Sequence, residues 1–148
     1  MDHTVPLPAL LMAAKEAVIT ELRVRLEEEG HGAIREGHGC VFGFIEPDGS
    51  RLTHLADSAG LTKQAVGEAV DDLQKLGYVE RVADPSDGRA KLVKLTAKGE
   101  EVRQLGRDVF ADVERRWAEE LGEERWQNAR QTLDDLYEVL GDRIVIPA

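Results

Sequence analysis

Cysteine is almost missing from this sequence of 148 residues: Cys40 stands alone. It cannot close an internal disulfide and cannot supply a multi-thiolate metal site. No apolar run approaches the ~20 residues needed to span a bilayer. The opening Met1-Asp2-His3-Thr4 lacks the positive start and apolar core of a signal peptide. Aromatic residues make up only 5% of the chain, yet 42% is hydrophobic and 32% charged. That is too charged and patterned for disorder, and apolar enough to build a core. Such a chain is expected to be soluble and cytoplasmic, with one domain or one small domain carrying helical extensions. Positive charge is short as well: 29 acids face 19 bases, a net charge of −10. Phosphate binding needs positive charge, so the whole-chain figure argues against a nucleic-acid partner.

The deficit is uneven. Residues 1–50 hold 9 acids and 4 bases, residues 51–99 hold 7 and 8, and residues 100–148 hold 13 and 7. Only the middle third escapes the acidity.

Along the chain, Pro6 and Pro8 suit a helix start. Leu11, Val18, Leu22 and Leu26 then mark one face of a helix from about Ala9 to Glu29, ended by Gly30 and Gly32. Between His31 and Ile45 the positions Ile34, Val41, Phe42 and Ile45 have helical spacing, against Gly37, Gly39 and Gly43. Each glycine costs about 1 kcal/mol in a helix interior. A helix held by tertiary packing is the favoured reading, with a short strand over Val41–Ile45 as the alternative. Pro47-Asp48-Gly49-Ser50 is a turn, since proline fixes φ and glycine accepts positive φ. Thr53 is placed to cap a short helix with Leu55, Ala56 and Ala59 inside, closed by Gly60. Thr62 caps a second, in which Val66, Ala69, Val70, Leu73 and Leu76 form one buried stripe and Gly77 is the stop.

Two β-prone runs, Tyr78–Val82 and Lys91–Leu95, flank the turn cluster Asp84–Gly88 and read as a hairpin. Thr96 caps a long helix carrying Val102, Leu105, Val109, Val113, Trp117 and Leu121. After Gly122 a last helix carries Trp126, Leu133, Leu136, Tyr137 and Leu140, and Ile144–Ile146 form an apolar tail. No repeat, low-complexity tract or linker interrupts the chain.

From about Thr53 to Thr96 the order is helix, glycine turn, helix, hairpin, which is a helix-turn-helix with a two-stranded wing. A helix fits the major groove of duplex DNA, and an arginine on a loop can enter the minor groove. Opposite the buried stripe, the second helix is read as presenting Lys63, Gln64 and Gly67 in its first two turns. Glutamine can pair with adenine, lysine can reach guanine or phosphate, and a glycine suits close approach of another surface. On the wing, Arg89 stands at the tip as the minor-groove candidate, followed by Lys91 and Lys94.

The stretches Leu61-Thr62-Lys63-Gln64-Ala65-Val66, Leu73–Arg81, Asp84–Lys91 and Leu95-Thr96-Ala97-Lys98-Gly99 resemble the multiple-antibiotic-resistance regulator (MarR) family. The match is close over residues 52–99 and loose over the rest. Its most specific parts are the Asp87-Gly88-Arg89 of the wing and the Leu-Thr-x-x-Gly after it. The resemblance implies a mainly α fold with a small β-hairpin wing (α+β), a winged helix-turn-helix flanked by helices of a dimerisation layer. It divides the chain into residues 1–30 and 100–148 for dimerisation and 31–99 for DNA binding. It implies a homodimer that represses transcription from a palindromic operator with half-sites about 34 Å apart. A small aromatic or anionic effector bound between the two layers would release the DNA. By position, Thr62, Lys63, Gln64 and Gly67 correspond to the contact region of the recognition helix. Asp87 and Arg89 correspond to the wing motif, the aspartate orienting the arginine.

Some residues depart from that pattern. Glu68, Asp71 and Asp72 put three acids on or near the recognition helix, where they would repel phosphates unless turned toward the hairpin or along the groove. This motivates the alternative of a winged-helix protein-interaction module without DNA binding. Hydroperoxide sensors of the family keep a reactive cysteine in the first helix, which here has none. Cys40 is expected to be a buried structural thiol. His31 and His38 form no tight ligand cluster, and Asp84–Gly88 lacks the distal glutamate of a calcium loop, so no metal is expected. Trp117 and Trp126 lie where packing would bury them. No dinucleotide fingerprint, Walker loop or nucleophile elbow is present, and neither catalysis nor a cofactor is expected.

Overall fold

A computed structural model describes residues 4–141. The first helix, α1 (Leu7–Glu28), has Pro6 as its N-cap and Pro8 in its first turn. Gly30 at φ +84 lets the chain reverse, and the His31 N–H closes the helix on the Leu26 carbonyl at 2.7 Å. A single 3-10 turn (Glu36–His38) runs into the four-residue α2 (Gly39–Phe42). The helix expected over His31–Ile45 is therefore only these seven residues. Glycine density limits it, and the buried Val41 and Ile45 hold it down.

Next come α3 (Leu52–Ala59) and α4 (Lys63–Lys75). The expected cap of α3 is corrected: its N-cap is Arg51, without a side-chain bond, and Thr53 lies inside the helix. Gly60 at φ +66 turns the chain out of α3, and the Thr62 hydroxyl caps α4 by accepting the Ala65 N–H at 3.1 Å. The stripe on α4 behaves as read, with Val66, Val70 and Leu73 fully buried. Strands β1 (Val79–Asp84) and β2 (Asp87–Leu95) pair antiparallel, Val79 opposite Leu95 and Ala83 opposite Lys91. The Pro47–Ser50 turn is tied to this sheet, because Ser50 and Val93 exchange both backbone hydrogen bonds at 2.8 Å.

One core joins these elements: Leu26 of α1, Val41 and Ile45, Leu55 and Ala56 of α3, the α4 stripe, and Tyr78, Val79, Val93 and Leu95 around the hairpin. The long α5 (Ala97–Leu121) leaves it, capped by the Thr96 hydroxyl on the Gly99 N–H at 3.2 Å. It packs along α1 and then against α6 (Glu123–Leu140). Trp117 and Trp126 meet edge to face at 5.3 Å, so both serve packing. Beyond that contact the apolar stripes run out of partners. Leu7, Leu10, Leu11 and Met12 on α1, and Leu133, Leu136, Tyr137 and Leu140 on α6, are exposed. The tail Ile144–Ile146 lies outside the described residues.

Candidate nucleic-acid interface

The acids of α4 settle how that helix presents charge. Asp71 meets the Arg81 guanidinium of β1 at 2.7 Å, and the Gln74 carbonyl oxygen accepts from the same arginine. Asp72 accepts two bonds on one oxygen, from Arg35 at 2.5 Å and from His38 Nε2 at 2.9 Å. His38 is buried, and its Nδ1 accepts the Arg35 backbone N–H at 3.0 Å. Nδ1 therefore carries no proton, and in the neutral ring Nε2 must donate to Asp72. The His38 hydrogen bond, then that of Arg35, holds the Asp72 carboxyl below the ordinary aspartate value. Two of the three acids are thus turned to partners inside the fold. Glu68 stays exposed, 3.5 Å from the Gln64 amide nitrogen.

Lys63 and Gln64 are exposed at the start of α4, as the sequence led us to expect, while the Thr62 hydroxyl is committed to the cap. Gly67 is a correction. It does not sit on the open face; a Cβ there would meet Leu52 of α3 at an ordinary 3.7 Å. The glycine is half-buried beside α3, and no close approach within the chain demands it.

The wing is tighter than the expected five-residue loop. Pro85 and Ser86 alone turn the chain, and Asp84 pairs with Asp87. Because Ala83 then pairs with Lys91, the residues Gly88, Arg89 and Ala90 form a bulge in β2. Arg89 sits on this bulge rather than at the turn. Its backbone N–H donates to Asp87 at 3.1 Å, so the aspartate orients the arginine's backbone and not its guanidinium. Arg89 and Lys91 are exposed, and neither makes an ion pair among the described residues.

A residue the sequence reading missed braces this wing. Arg51 donates to the buried Asp84 at 2.9 Å and lies 3.9 Å from Asp87. Asp84 also accepts the Ser86 hydroxyl at 2.7 Å and the Ser86 N–H at 2.9 Å. These bonds, the Ser86 hydroxyl first and Arg51 after both serine bonds, keep its carboxyl below the ordinary aspartate value. Arg51 is 33 residues from Asp84, and no local spacing signals such a pair.

Beneath the head, α1, the 34–45 segment and α5 enclose a cavity of about 700 Å³. Ile19, Leu22, Ile34, Phe42, Val102 and Phe110 give it apolar walls. Arg23, Arg35, Arg103 and Arg107 reach it, with Glu16, Glu27 and Glu36. The Nη groups of Arg103 bond the Ile45 carbonyl and Glu100, while its buried Nε has no partner. A volume of this size suits a drug-sized ligand. Cys40 is half-buried, and burial raises its thiol above the ordinary value. Among the described residues no group of three or more histidine, cysteine, aspartate or glutamate side chains converges as a metal site, and no helix is long and apolar enough to cross a membrane.

Two helices about a glycine turn, followed by an antiparallel wing, define a winged helix-turn-helix protein. Residues 38–90 match the MarR family pattern. That match is confined to the winged helix-turn-helix, and the fold of the chain is shared with solved transcriptional regulators along most of its length. A transcriptional regulator of Thermotoga maritima is 26% identical, with a TM-score of 0.58 over 88% of this chain and 91% of that one. CouR of Rhodococcus jostii, solved with p-coumaroyl-CoA, is 24% identical with a TM-score of 0.68 over 87% and 90%. A MepR variant of S. aureus, solved with an oligodeoxyribonucleotide, is 19% identical with a TM-score of 0.59 over 93% and 99%. The protein translocase subunit SecA of Symbiobacterium thermophilum is 34% identical over 106 residues, or 68% of this chain. The chain spans only 11% of that protein's length.

Proposed function

We propose that this chain is a DNA-binding transcriptional regulator, a homodimeric repressor that reads a palindromic operator and leaves it when a small aromatic or anionic ligand binds. The observation that carries the reading is the disposition of charge on the head. Asp71, Asp72 and Asp84 are paired with Arg81, Arg35 and Arg51, Asp84 buried and the other two at the surface. Lys63, Arg89 and Lys91 are left exposed. In this reading residues 31–99 form the DNA-binding region, with α4 in the major groove and Arg89 in the flanking minor groove. Residues 1–30 and 100–148 form the dimerisation region, supported by the exposed apolar side chains of α1 and α6. The cavity between the layers receives the ligand, which binds one spacing of the two heads and shifts the population away from the DNA-bound one. The oligonucleotide held by the MepR variant and the p-coumaroyl-CoA held by CouR support both halves of the reading.

Electrophoretic mobility shift on the DNA upstream of the protein's own gene tests it. Retention at low salt that falls steeply as salt rises is expected. No retention at low salt favours the alternative, a winged-helix protein-interaction module.

A further inference from the structure

Strands β1 and β2 form a two-stranded sheet, and a ribbon of that kind is marginally stable by itself. Its direction relative to α3 and α4 depends on what attaches it to the head. Two attachments come from the segment that enters α3. One is made by backbone: Ser50 and Val93 exchange hydrogen bonds at 2.8 Å. Gly49, at φ +98, lies so near that a Cβ there would fall 3.0 Å from the Val93 carbonyl oxygen.

The other attachment is Arg51. Side chains that cap a helix are those of serine, threonine, aspartate and asparagine. Arg51 is the N-cap of α3 and makes no such bond. Its guanidinium crosses instead to the wing turn, with Nε 2.9 Å and Nη2 2.8 Å from one oxygen of Asp84. Nη2 also lies 3.9 Å from Asp87. The two carboxylates flank the Pro85-Ser86 turn, so one planar cation holds both of its sides. Asp84 is a fixed acceptor, its side chain only 8% exposed and bonded twice by Ser86. Asp87 passes the contact on, because its other oxygen accepts the Arg89 N–H at 3.1 Å. Among the described residues no other ion pair reaches this turn. Held at Val93 alone, the ribbon would pivot about that point; held also at its turn, it has one direction. The helices α3 and α4 share the core through Leu55, Ala56, Val66 and Val70, so a position set at the start of α3 is also set relative to α4.

We propose that Arg51 is a positioning residue for DNA reading: it ties the wing turn to the start of α3 and so fixes the reach of Arg89 relative to α4. The major-groove and minor-groove contacts of one head are then made together. Without Arg51, α4 still enters its groove, but Arg89 is delivered to the minor groove only part of the time. This inference rests on the proposed reading of α4 and Arg89 as the DNA-contacting groups.

The test is a double-mutant cycle on the duplex from upstream of the gene, read by fluorescence anisotropy. Arg89→Ala alone is expected to weaken binding about tenfold, the scale of one arginine contact. Arg51→Ala is expected to weaken it about fivefold in the wild-type background and less than about twofold in the Arg89→Ala background, since it acts through Arg89. Hydroxyl-radical cleavage should show the flanking minor grooves unprotected in Arg51→Ala, while guanine N7 methylation in the major groove stays protected. Circular dichroism at the assay temperature checks folding. Arg51→Lys keeps the charge but cannot span both carboxylates; it is expected to show the same pattern at smaller size, and it carries the cycle if the alanine variant unfolds. Equal losses in both backgrounds mark Arg51 as a phosphate contact of its own and overturn the positioning role. So do retained minor-groove protection in Arg51→Ala, an Arg51→Lys protein indistinguishable from wild type, or an Arg89→Ala protein that binds as wild type. Each of these leaves the DNA-binding reading in place. Absence of duplex binding by the wild type overturns that reading itself.

Discussion

Gly99 and Gly106 lie two turns apart on α5, yet the same substitution to alanine should move stability in opposite directions. At Gly99 a Cβ would fall 2.1 Å from the Tyr78 carbonyl oxygen and 3.0 Å from Leu95 Cδ2. The first obstacle is backbone, so no rotamer relieves it. The Tyr78 carbonyl also accepts the Thr96 N–H at 3.0 Å, and turning it away would break the joint between the wing and α5. Neighbouring bonds tighten this joint: the Thr96 hydroxyl donates to the Gly77 carbonyl at 2.6 Å and Lys98 to the Leu76 carbonyl at 3.0 Å. The start of α5 must therefore shift as a unit. Overpacking of this kind costs about 1–3 kcal/mol; a backbone clash belongs at the upper end. The helix-propensity gain of alanine over glycine returns about 1 kcal/mol, leaving a net loss of about 2 kcal/mol.

At Gly106 the nearest atom to an added Cβ is Phe110 Cε2 at 3.9 Å, ordinary contact. Only the propensity term remains there, a gain of about 0.5–1 kcal/mol. Thermal unfolding at one protein concentration is the assay. At roughly 2–4 °C per kcal/mol for a chain of this size, Gly99→Ala should lower Tm by ~4–8 °C and Gly106→Ala should raise it by ~1–4 °C. Urea denaturation should give the same signs with unchanged slopes. A Gly99→Ala protein as stable as wild type would refute the steric account of the Leu-Thr-x-x-Gly motif.

Three further outcomes can be measured. Arg89→Ala should leave Tm within about 2 °C of wild type, since the side chain is exposed, while reducing the slope of log affinity against log salt by about one phosphate contact; an unchanged slope removes Arg89 from the DNA contact. Asp84 has a folded pKa below the ordinary 3.8 because of the Ser86 hydroxyl, the Ser86 N–H and Arg51. Its contribution to stability is thus complete above that value and is lost as pH falls through the depressed folded pKa. Asp84→Asn should flatten the stability profile below about pH 4, and a profile as steep as wild type would exclude this carboxylate. Burial raises the Cys40 thiol, so Cys40 should react with iodoacetamide at pH 7 more slowly in the folded protein than in urea; equal rates would contradict the burial.

Elements with their own punctuation were readable from sequence. Thr62 and Thr96 cap the helices they precede, and Gly60 and Gly77 take the positive φ that ends a helix. The stripe on α4 repeats at helical spacing and is buried as that spacing requires. Readings failed where long-range partners decide. Thr53 has the chemistry of a cap, but α3 begins at Leu52 because Arg51 is turned toward Asp84 across the head. Gly67 falls on the free face only if that face is drawn opposite the centre of the stripe; Leu52 of α3 reaches around to meet it. The wing turn was read too wide because Asp87, Gly88 and Arg89 have turn chemistry but are held in β2 as a bulge. Arg35 and His38 carried no motif, since their significance lies in Asp72, 37 and 34 residues away.

Net charge misleads about this fold because it counts acids without asking where they point. One acid of α4, Asp72, is buttressed by a buried histidine and by an arginine from the segment beneath. Asp71 is drawn to the hairpin by Arg81, and Asp84 is folded under the wing turn by Ser86 and Arg51. Each pair joins one element to another and cancels one acid against one base, so the net charge of the head is unchanged. The acids of α5 and α6 are treated in the same way only in part. Asp112 and Glu119 pair with Arg115, and Asp134 with Arg130, along exposed helix faces, where such pairs screen little and hold little. The repulsive field lies on the flanks because residues 1–50 and 100–148 carry the excess of acids and residues 51–99 do not. In the proposed homodimer that field opposes non-specific sliding along DNA, and binding comes from the two heads placed together. The exposed apolar side chains at the ends of α1 and α6 are what would place them.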